Sequence, residues 1–328
     1  MTVNIENIRQ AAARLDGVAV RTPLLQNDYL NRRLQAKVFI KPESLQHIGA
    51  FKFRGAYNRL SQLDEEQRAL GVVAFSSGNH AQGIARAAHL LGMQATIVMP
   101  SDAPTLKLEG TRRLGATIRS YERATEVREE IAADIAADTG ATLVPAFDDP
   151  DIIAGQGSCG LEIIEQMDAL GETPQSVLVP CGGGGLLAGT STAVKALSPT
   201  TRVYGVEPQL YDGHWQSRQA GHRVAIDATA ATLCDALMAP TPGELTWSIN
   251  SKNVTDFLLV TEEEVAHAVS FAFRYLKLVV EPGGVVPLAA LLANKLDVSG
   301  STVVILLSGG NIDGAVFTRC LQQYPSPE

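Results

Sequence analysis

The chain has 328 residues, 45% apolar and 19% charged, with a formal net charge of -8. That length suggests two domains or one large α/β unit, the ordinary globular composition excludes disorder and coiled coil, and the acidic balance argues against a nucleic-acid partner. No apolar run reaches a membrane span, and residues 1–15 mix Glu6, Arg9 and Arg14 with apolar side chains, unlike a secretory signal. A cytoplasmic protein with a small-molecule substrate is therefore expected.

Residues 42–56 carry the first chemical candidate, Gly49-Ala50-Phe51-Lys52-Phe53-Arg54-Gly55-Ala56, one lysine between two aromatics beside small residues. Partly apolar surroundings depress an amine's pKa and leave more of it neutral, as Schiff-base chemistry requires. A single lysine more often snorkels at the surface, and residue chemistry leaves both readings open.

Short apolar runs at 72–75, 95–99, 176–179, 203–206 and 303–307 alternate with longer helical patterns. Strands of that kind belong to a parallel sheet covered on both faces, so the fold class is α/β. Between residues 71 and 144, three or four β/α units follow with short links, enough for a small sheet of their own. We expect residues 1–47 and 146–328 to form a large α/β domain with a small one, 48–145, inserted in it. Chemistry is then expected in the cleft between them, at the carboxyl ends of strands.

After the 72–75 run comes Ser76-Ser77-Gly78-Asn79-His80, opening a helical stretch. Orphan N–H groups there favour a polar or anionic ligand, and a plain capped turn is an equal reading. After 176–179 comes Pro180-Cys181-Gly182-Gly183-Gly184-Gly185-Leu186, again before a helix. Without Cβ atoms this backbone can press its N–H groups on a phosphate, with the helix's positive end behind it. Gly183-x-Gly185-x-x-Ala188 also matches a relaxed dinucleotide fingerprint, with Glu207 placed for a ribose hydroxyl, so a nucleotide-binding sensor stays open. Thr261 and Glu264 spell a capping box. The 303–307 run ends in Ser308-Gly309-Gly310-Asn311, by itself an ordinary turn. Cys159, Cys181, Cys234 and Cys320 have no metal or disulfide spacing and are expected to be packed thiols.

The lysine motif, Ser-Ser-Gly-Asn-His, the glycine run and Ser-Gly-Gly-Asn follow one another in the order seen in threonine dehydratases and serine racemases. The chain resembles these fold-type II, tryptophan synthase β-like pyridoxal phosphate enzymes from Arg21-Thr22-Pro23-Leu24 to Asn311. The resemblance implies a homodimer with pyridoxal 5′-phosphate as a Schiff base on Lys52, which also removes the α-proton. It places Phe51 beside the ring, Asn79 on the ring hydroxyl, the amides of Gly182, Gly183, Gly184 and Gly185 on the phosphate, and Ser308 at the pyridine nitrogen. Ser76, Ser77, Asn79 and His80 line the substrate, with Ser77 as a second acid-base on the opposite face.

The implied activity is dehydration of a 3-hydroxy amino acid such as L-threonine or L-serine to a 2-keto acid and ammonia. Amino-acid racemisation and 3-hydroxyaspartate dehydration are the alternatives. Ile48 and Ala50 stand where many relatives carry hydroxyls for the substrate carboxylate, so backbone N–H groups and His47 are expected to compensate. Metal-dependent relatives place a cation at Glu-Pro-x-x-x-Asp-Asp, and here Gly213 replaces the last acid after Glu207 and Asp212. No metal ligand is assigned, and a divalent cation remains an open alternative. Glu281 matches a further acid of the family, but it is expected to be solvated and is left outside the catalytic set.

Overall fold

The computed structural model describes residues 3–103 and 105–325. Its strands are β1 (Leu25–Gln26), β2 (Lys37–Pro42), β3 (Val72–Phe75), β4 (Ala95–Pro100), β5 (Thr117–Tyr121), β6 (Thr142–Leu143), β7 (Ser176–Pro180), β8 (Arg202–Pro208), β9 (Asp256–Val260) and β10 (Thr302–Leu307). They form two sheets, β1-β2-β10-β7-β8-β9 and β5-β4-β3-β6. Within the sheets β1 runs antiparallel to β2, and the other strand pairings are parallel.

β10 shows why its sequence is apolar throughout. Side chains of a strand alternate between faces. Val303, Ile305 and Leu307 pack with Val285, Leu288 and Val269 on one face, while Val304 and Leu306 meet Ile163, Met167 and Leu187 on the other. Both faces are dry, so no polar alternation survives. The smaller sheet repeats the scheme, with Val72 and Ala74 against Ile84 and Ala88, and Val73 against Ala132. The Thr261 capping box forms as expected, with Glu264 N donating to Thr261 Oγ1 and Thr261 N to Glu264 Oε2. The four cysteines are buried free thiols. Among the described residues no helix is long and apolar enough to cross a membrane.

A buried ionic cluster fastens the helix Lys52–Leu60 to the rest of the core. Arg54 donates to both oxygens of Glu43 (2.8 and 2.9 Å) and to Glu162 Oε1 (2.6 Å), and Lys41 donates to Glu162 Oε2 (2.6 Å). Thr22 adds a hydroxyl to Glu43 at 2.7 Å, which explains the Arg-Thr-Pro-Leu segment structurally. Burial would raise the Glu43 carboxyl, but the Arg54 guanidinium outweighs it and holds the group below its ordinary range. The same helix crosses the helix Pro150–Ala169 at Gly55 and Gly155, where a Cβ on Gly155 would lie 2.6 Å from Gly55 Cα.

Candidate active site

Lys52 begins its helix just after an isolated bridge between Ala50 and Gly309, and Phe51 N donates to Ser308 O at 3.0 Å. The turn that ends β10 is thus stitched to the lysine's own loop. Lys52 Nζ donates to Ala146 O at 2.7 Å and lies 5.3 Å from the centre of the Phe51 ring. Burial pulls this amine down to about 8, leaving roughly a tenth of it neutral at pH 7. Beside it, burial and then the lysine's charge hold the His80 imidazole down to about 3, and His80 Nε2 meets Val144 O at 3.2 Å. A Cβ on Gly83 would lie 3.2 Å from the Lys52 carbonyl, so glycine lets the helix Asn79–Leu90 start directly against the lysine.

Asn79 and Glu281 meet at the start of that helix. Asn79 Nδ2 donates to Glu281 Oε1 at 2.6 Å, and Asn79 Oδ1 accepts from Asn311 Nδ2 at 2.8 Å. Asn311 also donates to Ile48 O at 2.8 Å, holding Ile48 at φ 60°, a costly place for a β-branched residue. The expectation of a solvated Glu281 is wrong. The side chain is buried, and burial followed by the charge of Asp235 raises its carboxyl to about 8. Sequence could not reveal this, because Asn79 lies 202 residues away in the chain.

The glycine run is hemmed in by its neighbours. A Cβ would meet Leu237 at Gly182 (2.9 Å), Phe147 at Gly183 (2.4 Å) and at Gly185 (3.0 Å), and His214 Nε2 at Gly184 (2.6 Å). Gly184 also has φ +93°, and as N-cap of the helix Gly185–Leu197 it supplies no side-chain cap, so the first N–H groups stay open to an anion. Phe147 directly follows Ala146, the partner of Lys52. Asp148 caps the helix Glu244–Asn253 through the N–H groups of Glu244, Leu245 and Thr246, and Asp149 caps the helix Pro150–Ala169. The sequence reading passed over this hub, although Asp149 before a proline at the first helical position was a legible cap.

The remaining candidates divide. Ser308 is buried at the end of β10. Ser76 Oγ accepts from Gly78 N at 3.1 Å within its own turn, and Ser77 beside it is half-buried. His47 Nε2 is engaged by Val18 O at 2.9 Å, so that nitrogen does not compensate for the hydroxyls lost at Ile48 and Ala50. Glu207 is 1% exposed, and its two oxygens accept the N–H groups of His214 (3.0 Å) and Trp215 (2.8 Å), which leaves no acid for a ribose hydroxyl. Asp212 Oδ1 accepts from Gln216 at 2.7 Å. Cys181, Glu207 and His214 approach one another within 4.8 Å, all buried.

Three comparisons bear on this arrangement. The family model described as pyridoxal-phosphate dependent enzyme matches residues 15–309. L-threo-3-hydroxyaspartate ammonia-lyase from a Pseudomonas species is 47% identical over 94% of this chain and 95% of its own. L-threonine ammonia-lyase from Thermotoga maritima is 41% identical over 98% and 79%. The solved structure of maize serine racemase superposes with a TM-score of 0.92 at 34% identity, covering 99% of this chain and 98% of that one.

Proposed function

The chain belongs to the family of pyridoxal-phosphate dependent enzymes, and we propose on that premise that it removes water and then ammonia from a 3-hydroxy amino acid. The observation that carries this reading is the half-buried Lys52 amine, lowered to about 8 and joined to the glycine run through the adjacent residues Ala146 and Phe147. The residues fit the cofactor: a largely desolvated amine to bond it, a glycine cradle backed by a helix N-terminus for its phosphate, and the Ser308 hydroxyl for its ring nitrogen. When bound, the cofactor supplies an electron sink that lowers the cost of removing the substrate's α-proton.

The chain's own groups do the rest. Lys52 would take the substrate's α-proton as a neutral base, since burial has already weakened its hold on a proton. His80 stays uncharged beside it and does not compete for that proton. Asn79 is held by Glu281 and Asn311 with its amide fixed in one orientation for the ring hydroxyl. Ser308 would offer the ring nitrogen a hydroxyl in place of a carboxylate, making a weaker electron sink that suits loss of the β-hydroxyl. Ser76, Ser77 and the open N–H groups of the Asn79–Leu90 helix receive the substrate carboxylate, with Ile48 and Ala50 contributing backbone only.

Mg²⁺ or Ca²⁺ does not fit the residues that would hold it. Glu207 is occupied by two backbone N–H groups, Asp212 by Gln216, and both acids sit at the positive end of the helix Gly213–Ala220. No step is assigned to a cation. We further propose a cytoplasmic homodimer in which residues 48–145 form a unit inserted between 1–47 and 146–328. The division is supported by the sheet of β3 to β6 lying wholly between residues 72 and 143.

The test is an absorption spectrum of the purified protein followed by a keto-acid assay over L-threo-3-hydroxyaspartate, L-serine and L-threonine. Violet absorption with keto acid from at least one of them is expected. A colourless protein after incubation with the cofactor, or no keto acid from any, would overturn the reading.

A further inference from the structure

We infer that Thr246 and Asn250 are positioning residues for the phosphate: from behind the glycine run they pin the carbonyls of Gly183 and Gly184, and so aim the N–H groups of Gly184 and Gly185 into the cleft. The inference rests on the reading of that run as the phosphate cradle.

Thr246 and Asn250 are four residues apart on the helix Glu244–Asn253, so they share a face, and both are fully buried. Thr246 Oγ1 donates to Gly183 O at 2.7 Å. Asn250 Nδ2 donates to Gly184 O at 3.2 Å, a carbonyl that also accepts the first helical N–H from Ala188 at 2.8 Å. The peptides are trans, and in a trans peptide the carbonyl and the N–H point in opposite directions. Drawing the Gly183 carbonyl toward Thr246 therefore turns the Gly184 N–H away from that helix, and the Gly184 carbonyl does the same for Gly185.

The Asn250 amide is itself oriented. Turning it over would set Oδ1 against the Gly184 carbonyl, two acceptors facing one another, so Nδ2 occupies that side. The same Nδ2 lies 3.2 Å from His214 Nε2, which must then accept and leave the imidazole proton on Nδ1. That nitrogen faces Cys181 Sγ at 3.3 Å and Glu207 Oε1 at 3.6 Å, a thiol and a carboxylate that both suit an N–H. Gly184 could carry no side chain here, because His214 and Asn250 fill the space where its Cβ would lie.

The experiment compares pyridoxal 5′-phosphate with pyridoxal, which has the same ring and aldehyde but no phosphate, as ligands of the apoprotein. Native protein is expected to prefer the phosphorylated form. Thr246→Val and Asn250→Leu should each cut that preference roughly tenfold while leaving pyridoxal affinity in place, and Thr246→Ser should restore it. General loosening of the fold would weaken both ligands together and leave their ratio unchanged. A retained ratio in Thr246→Val overturns the positioning role. No preference in the native protein overturns the cradle reading itself, and this inference with it. Should Asn250→Leu fail to fold, Thr246→Val and Thr246→Ser decide alone.

Discussion

Asn79 Nδ2 lies 2.6 Å from Glu281 Oε1, joining the helix that begins against Lys52 to the loop that begins the helix Pro282–Leu292. The carboxyl in this pair is raised from 4.5 to about 8 by burial and by Asp235, so folding takes up a proton between those values. Its contribution to stability is complete below pH 4.5 and is lost as pH rises through about 8. We predict that the apoprotein Glu281→Gln gains stability relative to native between pH 5 and 8.5, by at most about 1.4 kcal/mol per pH unit. Urea midpoints across that range check it, and parallel curves for the two proteins would refute it.

Lys52→Ala is expected to remove both the violet absorption and all turnover while the fold survives, since the change deletes a single hydrogen bond to Ala146. Far-UV circular dichroism reports the fold and a cofactor spectrum the site. Violet absorption or turnover retained in the folded variant would displace Lys52 from its role.

Where the site's candidates sit could be read in the sequence, because they lie at the ends of local patterns, while their roles came from the family resemblance. Lys52, Asn79, the glycine run and Ser308 each follow a strand or open a helix, and strand–turn–helix grammar is local. What could not be read depends on contacts between distant segments. Glu281 is paired with Asn79 across 202 residues, and the segment around Phe147 owes its importance to a lysine 94 residues earlier. Glu207 misled for the complementary reason: its spacing fitted a ribose acid, while the next helix had taken both its oxygens. Five strands were legible from apolar runs, but β2, β5 and β9 went unread, their patterns broken by charged or polar residues such as Lys37, Lys41, Arg119 and Asp256, and the two-residue strands β1 and β6 were too short to leave a pattern.

Arg54→Ala should be strongly destabilising, by about 3–5 kcal/mol, because it leaves Glu43 buried without its principal counter-charge. Arg54→Met, paired with Glu43→Leu, should recover part of that loss. Thermal or urea unfolding of the three proteins decides it, and a near-neutral Arg54→Ala would contradict the account of the cluster.

Ser308→Asp should keep the cofactor but slow elimination, because a carboxylate would hold a proton on the ring nitrogen and prolong the carbanion. Single-turnover rates with retained absorption are the measurement. Unchanged rates, or complete loss of cofactor, count against Ser308 as the nitrogen's partner.

Ser77 is placed to test whether racemisation accompanies elimination. With L-serine in deuterated water, native protein should form keto acid faster than D-serine. Ser77→Ala should lose D-serine formation and keep elimination through Lys52. Faster formation of D-serine than of keto acid by the native protein would make the enzyme a racemase.

The stretch from Ala146 to Asp149 has a mechanical consequence. Ala146 takes the lysine's amine and Phe147 packs under the glycines, so on the proposed reading the bonding atom and the phosphate seat are tied through one peptide unit, about 3.8 Å between α-carbons. A single residue inserted after Ala146 would leave each half of the site intact and put them out of measure, as a ruler with one extra division misreads every length laid along it.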